Sequence, residues 1–127
     1  MLDLIIKNGQ CYIDGELKDV DIAVKDGKIH KIGEISEETK EILNAEGQTV
    51  LPGCIDTQTH FREPGSTDTE DLHSGSRAAI AGGITGVFEM PNTNPPTSTK
   101  SEFQKKLDLA KNRMYCNYAF YFGATAS

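Results

Sequence analysis

Residues 54–90 read CIDTQTHFREPGSTDTEDLHSGSRAAIAGGITGVFEM, and this stretch decides the fold. Its β-branched and apolar residues predict a strand from Cys54 to His60, and a helical pattern follows from Glu70 to Ala81. Two consecutive glycines end that helix, after which a compact apolar run from Ile84 to Met90 predicts a second strand. A strand, a helix and a strand in this order indicate a right-handed unit with parallel strands.

The residues that follow repeat the helix and strand pattern. A loop rich in proline and asparagine covers Pro91 to Pro96, and Thr99 and Glu102 have the spacing of a capping box at the start of a helix. A third strand is predicted from Tyr115 to Phe122. Between the cap and this strand, apolar residues recur at helical spacing at Phe103, Leu107, Ala110 and Met114.

This alternation indicates an α/β fold that is part of a larger barrel. A (β/α)8 TIM barrel needs about 250 residues, so residues 50–127 suffice for the first three strands and two helices, about two and a half units of eight. We therefore expect the N-terminal part of a barrel, in a chain that is a fragment of a longer protein. An unpaired edge at Tyr115 to Phe122 would make the isolated chain poorly folded or insoluble.

The first 49 residues have a different pattern. Short runs rich in Ile and Val alternate with three Asn-Gly or Asp-Gly dipeptides, which are strong hairpin signals. They predict a small antiparallel meander, followed by a polar stretch. We place the boundary near Thr49, so that a β segment at 1–49 precedes the barrel segment at 50–127.

The composition excludes several classes of partner. The chain has 13 lysines and arginines against 19 aspartates and glutamates, a formal charge of −6, and a pI of about 5.0. This acidic balance disfavours nucleic acid and anionic membranes. A mean hydropathy of −0.43 without a long apolar run argues against a transmembrane helix, and no signal-peptide pattern is present, so we expect the cytoplasm. The cysteines lack disulfide or zinc spacing and are predicted to be small buried residues, at Cys11, Cys54 and Cys116.

A polar cluster lies at the carboxyl end of the first barrel strand. By simple alternation along a strand, Asp56, Gln58, His60 and Arg62 would project together into the mouth of the barrel. Active sites of barrels gather at this face, so the cluster favours the binding of a metal and an anion. The alternative is purely local, with His60 bonded to a carbonyl and Arg62 paired with Glu63 or Asp71.

A second polar cluster follows the second strand. Two prolines and two amides after an apolar strand make a rigid loop that presents Asn92 or Asn94 toward the same mouth. Asparagine and proline are also ordinary turn residues, so a plain structural turn is an equal alternative.

These motifs carry a family resemblance. Leu51-Pro-Gly53, Ile55-Asp56, the run from His60 to Gly65 and the run from Met90 to Pro96 occur in this order. Together they resemble the N-terminal part of the dihydroorotases of the amidohydrolase superfamily, and the likeness extends from Met1 to Thr125. Hydantoinases and allantoinases are the related alternatives, and allantoinases usually carry asparagine at the position of Arg62.

The resemblance implies a metal-dependent cyclic amidohydrolase that interconverts N-carbamoyl-L-aspartate and dihydroorotate in pyrimidine biosynthesis. It implies that the β segment belongs to a small composite sandwich and that one or two zinc ions activate water. It implies that His60 is a metal ligand and that Arg62 and Asn92 bind the carboxylate of the substrate. No catalytic residue is expected within these 127 residues. The expected partner is a small molecule with a carboxylate, and homo-oligomerisation is left open.

Gln58 departs from the family pattern. The first strand of the family usually reads His-x-His, whereas this chain has glutamine at the first of the two positions. A neutral amide binds zinc more weakly than imidazole does, so Gln58 is a doubtful metal ligand. Three explanations stay open: an enzyme with one metal ion, a metal such as manganese that accepts oxygen ligands, or a non-catalytic relative that acts as a partner or scaffold.

Overall fold

The computed structural model describes residues 1–125, and the chain divides into two compact units, Met1–Pro52 and Gly53–Ser127. Within the described part of the chain, no helix has both the length and the apolar character needed to cross a membrane.

The first unit is built from strands. They are β1 (Leu2–Lys7), β2 (Gln10–Ile13), β3 (Glu16–Asp19), β4 (Asp21–Lys25), β5 (Lys28–Gly33), β6 (Thr39–Asn44) and β7 (Thr49–Val50). They form a four-stranded sheet in the order β5-β4-β1-β6 and a three-stranded sheet in the order β3-β2-β7. A small core contains Leu2, Ile5, Ala23 and Ile35.

The predicted meander is wrong in its connectivity. Strand β1 pairs with β4 antiparallel but with β6 parallel, and the hairpin of β2 and β3 belongs to the other sheet. Strand β6 lies in the stretch that the sequence predicts to be polar. Five of its six side chains are exposed. Its pairing comes from the backbone, so no alternating apolar pattern announces it.

The second unit has the predicted α/β order. It contains β8 (Cys54–Thr59), α1 (Leu72–Ala81), β9 (Ile84–Glu89), α2 (Lys100–Ala110) and β10 (Asn117–Phe120). The sheet order is β10-β9-β8, and both pairings are parallel, as expected for successive units with helical crossovers. Strands β8 and β10 are the two edges of this sheet.

The helices α1 and α2 cover one face of the sheet β10-β9-β8. Its core contains Phe61, Leu72, Val87, Ala110 and Cys116. Helix α1 packs tightly because Gly75 lies against the Phe61 ring, where an added Cβ would come within 2.5 Å of Cδ1. On the strand β9, Phe88 alternates with buried Val87 and is 39% exposed, and Ile55 on β8 is 62% exposed.

Local signals explain where the two helices start and stop. Asp71 forms a capping box with Ser74 at the start of α1, and the backbone N–H of Ser74 holds the pKa of the Asp71 carboxyl below its usual range. Thr99 accepts a hydrogen bond from the Glu102 N–H, as its position predicts. Helix α2 ends before Met114, since Asn112 adopts a left-handed conformation with φ of 60°.

The cysteine prediction holds at two positions. Cys11 and Cys116 are buried, and all three cysteines are free. Cys54 is exposed, contrary to expectation, because it begins the edge strand β8, which has a paired neighbour on one side only.

Candidate functional site

The carboxyl ends of β8 and β9 lie side by side. The Met90 N–H donates to the Thr59 carbonyl at 2.9 Å, and the Thr59 hydroxyl donates to the Phe88 carbonyl at 3.3 Å. Because this pairing continues to the last residues of both strands, the loops that follow them start next to each other. The two polar clusters of the sequence are therefore neighbours in space.

His60 and Asn92 make direct contact across these strand ends. The His60 Nδ1 atom lies 2.8 Å from the Asn92 Oδ1 atom. A carboxamide oxygen only accepts hydrogen bonds, so Nδ1 is the donor in this contact and Nε2 is the ring nitrogen left for another partner. Histidines that bind metals usually donate their other ring nitrogen in this way. The local alternative, a hydrogen bond from His60 to a carbonyl, is also met by this contact with the side-chain carbonyl of Asn92.

The simple alternation expected for Asp56, Gln58 and His60 is interrupted in β8 between Asp56 and Thr59. From Asp56 to Thr59 strand β8 advances three residues, while β9 advances two, from Val87 to Glu89. One extra residue on a strand breaks the alternation, and such irregularities are common at barrel rims. The Asp56 carboxylate accepts the Gln58 N–H at 2.9 Å, so Asp56 supports the backbone at the irregular position.

Arg62 lies at the start of the loop after β8 and is without an ion-pair partner in the described part of the chain. It is exposed, and its φ of 62° lies in the left-handed region, which is unusual for a residue other than glycine or asparagine. Among residues 1–125 it makes no ion pair, so the predicted local pairing with Glu63 or Asp71 is wrong. Strain of this kind concentrates at functional sites.

The neighbouring carboxylates pair with Arg113 instead. The guanidinium of Arg113 binds Glu63 through two hydrogen bonds of 2.7 and 3.1 Å, and its Nη2 atom lies 3.6 Å from Asp71 Oδ2. Glu63 is buried and also accepts the Leu72 N–H at 2.8 Å. The Glu63 contact raises the pKa of Arg113. Glu63 therefore anchors the loop to the start of α1 and to the turn after α2.

The two loops also touch through their backbones. The Asn94 N–H donates to the Pro64 carbonyl at 3.0 Å, and Gly65 adopts φ of 125° directly against Asn94. A Cβ on Gly65 would approach the Asn94 Cβ atom to 3.0 Å. Glycine is required here by both its conformation and its contact. The Arg62 to Gly65 motif and the Met90 to Pro96 motif thus form one surface.

A buried ion pair lies beneath the second loop, and the sequence analysis missed it. Glu89 at the end of β9 contacts the Lys106 ammonium of α2, and both side chains are essentially fully buried. Burial raises the pKa of the Glu89 carboxyl, and the Lys106 charge opposes that shift. A signal was present, because Lys106 lies three residues after Phe103 and four before Ala110, within the apolar stripe of α2.

The described residues do not by themselves form a metal site. Among residues 1–125 there is no group of three or more histidine, cysteine, aspartate or glutamate side chains that could hold a metal ion. His60 fits the chemistry of one metal ligand. Its Nδ1 atom forms a hydrogen bond with Asn92, and its Nε2 atom has no hydrogen-bond partner among residues 1–125. Gln58 is exposed beside it and offers only a neutral amide.

The comparison with protein families decides the affiliation. The profile described as the amidohydrolase family matches residues 49–126. The chain belongs to the amidohydrolase family. This confirms the resemblance at the level of the family and the fold class, the N-terminal part of an amidohydrolase (β/α)8 barrel preceded by a β segment.

Individual relatives within the amidohydrolase family are allantoinases and hydantoinases. The chain is 47% identical over 113 residues to an allantoinase from Salmonella choleraesuis (strain SC-B67), and 45% identical over 113 residues to one from Escherichia coli O1:K1. Each alignment covers 88% of this chain and 25% of the relative. The chain therefore spans about a quarter of the length of the curated relatives it matches.

Solved structures give the same affiliation. The L-hydantoinase (dihydropyrimidinase) from Arthrobacter aurescens matches with a TM-score of 0.89 at 32% identity, over 99% of this chain and 29% of that one. The D-hydantoinase (dihydropyrimidinase) from Thermus sp. matches with a TM-score of 0.77 at 30% identity, over 95% and 27% of the two chains.

Proposed function

We propose that the complete protein containing these residues hydrolyses a cyclic amide, and that this segment supplies one wall of the active site. The observation that carries the proposal is the contact between His60 and Asn92 at the carboxyl ends of two parallel strands. Catalytic groups of barrel enzymes gather at this end of the sheet. Arg62, on the loop directly after His60, adds a free positive charge for an anionic group of the substrate.

His60 is proposed as a ligand of a zinc ion through Nε2. When bound, zinc polarises a carbonyl group and lowers the pKa of water at neutral pH. Asn92 fixes the ring of His60 by accepting its Nδ1 hydrogen, and the amide nitrogen of Asn92 keeps its own donors for a substrate oxygen. The remaining ligands and the proton-transferring group are proposed to come from outside residues 1–127.

The ring that is opened has two candidates. The allantoinase and hydantoinase relatives support an uncharged cyclic ureide of the allantoin or hydantoin kind. The second candidate is dihydroorotate, which carries a carboxylate. It is supported by the exposed guanidinium of Arg62, because this planar group matches the geometry of a carboxylate. An uncharged ring has no carboxylate to bind.

Substitution of Arg62 separates these candidates. Asparagine tolerates the left-handed conformation of Arg62, so Arg62→Asn removes the charge without new backbone strain. We expect kcat/KM for dihydroorotate to fall by about tenfold to a hundredfold, the typical loss of a charge-assisted hydrogen bond. Opening of hydantoin or allantoin should stay within about threefold.

Arg77→Gln is the matched control for this experiment, because Arg77 is an exposed arginine on α1. It should leave both reactions within about threefold. An equal loss on charged and uncharged rings in Arg62→Asn would show that Arg62 does not recognise a carboxylate.

A non-catalytic partner or scaffold is the alternative from another class, and Gln58 is its basis. We expect Gln58→His in the complete protein to raise zinc affinity by tenfold or more, because imidazole is a far better zinc ligand than a neutral amide. Zinc content and ring opening are measured on both forms. Activity already present in the natural form supports the enzyme, whereas activity that appears only in the variant supports the scaffold.

A further inference from the structure

Lys106 and its neighbour Lys105 differ sharply in burial. The side chain of Lys106 is fully buried, whereas that of Lys105 is 64% exposed and pairs with Glu102 on the surface. A buried lysine is costly unless each of its donors has a partner. The burial of this charge therefore needs a structural or functional explanation.

The ammonium group of Lys106 uses all three of its donors. It forms an ion pair with Glu89, donates to the Met90 carbonyl at 3.1 Å, and donates to the Thr97 hydroxyl at 3.3 Å. It also lies 5.2 Å from the centre of the Phe120 ring. An ammonium group has three hydrogens, so these acceptors satisfy the Lys106 side of the pair. The Glu89 carboxylate has the Lys106 charge but no hydrogen-bond donor of its own among the described residues.

These partners lie on both sides of the loop that carries Asn92. Met90 precedes the loop and Thr97 follows it, so a single ammonium group joins its two ends. The Thr97 N–H donates to the Pro91 carbonyl at 2.9 Å, and the Gly123 N–H donates to the Thr97 carbonyl at 2.7 Å. The base of the loop is thus fixed to α2 and to the segment after β10.

We propose that Lys106 and Glu89 are positioning residues, which hold the loop of residues 91–96 so that Asn92 fixes the ring hydrogen of His60 on Nδ1. Neither residue touches the substrate in this role. The buried pair acts through the ends of the loop, then through Asn92, and finally on the ring nitrogen that His60 presents as Nε2. The inference rests on the proposed function only in that His60 serves the active site.

The test uses the complete protein and a paired substitution. Lys106→Met alone leaves the Glu89 carboxylate buried without its cation, which can prevent folding. The double variant K106M/E89Q removes both charges together, and replacement of a whole buried pair is often neutral for stability. Lys105→Met is the matched control on the same helix. The His60 ring is followed by the nitrogen NMR shifts of metal-free, ¹⁵N-histidine-labelled protein, and zinc affinity is titrated with zinc alone.

In the natural protein and in Lys105→Met, we expect a single His60 form with hydrogen on Nδ1. In K106M/E89Q, we expect a folded protein with a mixture of ring forms and a zinc affinity lower by about tenfold to a hundredfold, as for loss of an outer-shell partner. An unchanged His60 spectrum would overturn the proposal, and so would a double variant that fails to fold. Failure of the proposed function would appear separately, as absent ring opening in the natural protein.

Discussion

Replacement of His60 by glutamine in the complete protein is expected to abolish ring opening. The substitution removes the only imidazole at the carboxyl ends of the described barrel strands, and with it the partner of Asn92. Glutamine keeps a polar side chain of similar length but offers zinc a weak neutral donor. We expect the loss of activity and of zinc affinity to exceed the 10–100-fold that removal of an outer-shell partner typically causes.

His73→Gln is the control for this prediction. His73 is an exposed histidine on α1, and its ring contacts Tyr115 with Nε2 at 3.3 Å from the phenol oxygen. It lies outside the strand-end cluster, so this variant should keep nearly natural activity and zinc content. If His60→Gln retained both properties as fully as His73→Gln does, His60 would have no role in metal binding.

Replacement of Arg113 by methionine should destabilise the loop after β8. It removes both hydrogen bonds to the Glu63 carboxylate and leaves that buried group with the Leu72 N–H as its remaining donor. Loss of one partner of a buried pair costs about 3–5 kcal/mol, and we expect about 2–3 kcal/mol here because the Arg113 side chain is 35% exposed. The melting temperature of the complete protein should fall by about 2–3 °C, the shift for a chain about four times as long as this one.

Two further variants limit the interpretation of this loss. Lys111→Met changes an exposed side chain two residues away and should shift the melting temperature by about 1 °C or less. Glu63→Gln keeps an acceptor for Leu72 and removes the buried charge, so its cost should be smaller than that of Arg113→Met. A fall in melting temperature as small as that of Lys111→Met would show that Arg113 does not anchor the loop.

Much of the second unit follows from local signals. The apolar runs of β8, β9 and β10, the cap at Thr99 and the glycines after α1 predict the order of elements, because each signal lies within a few residues of its effect. The sequence predicts the contact between His60 and Asn92 only approximately. Parallel strand ends predict that the two loops meet, but not which atoms face each other.

The pairing of Glu63 with Arg113 could not be predicted from the sequence. Glu63 and Arg113 are 50 residues apart in the chain, and neither has a local pattern that identifies the other. The irregularity in β8 has the same character, because the extra residue between Asp56 and Thr59 is defined by the register of β9. Strict alternation therefore placed Asp56 in the site, whereas the structure gives it a backbone contact with Gln58.

The central claim is that these residues form part of a working cyclic amidohydrolase. The most direct test incubates the purified, zinc-loaded complete protein with hydantoin, allantoin and dihydroorotate, and measures ring opening together with the zinc content per chain. We expect turnover of at least one ring and its loss in His60→Gln. A folded protein with bound zinc that opens none of the three rings would contradict the account.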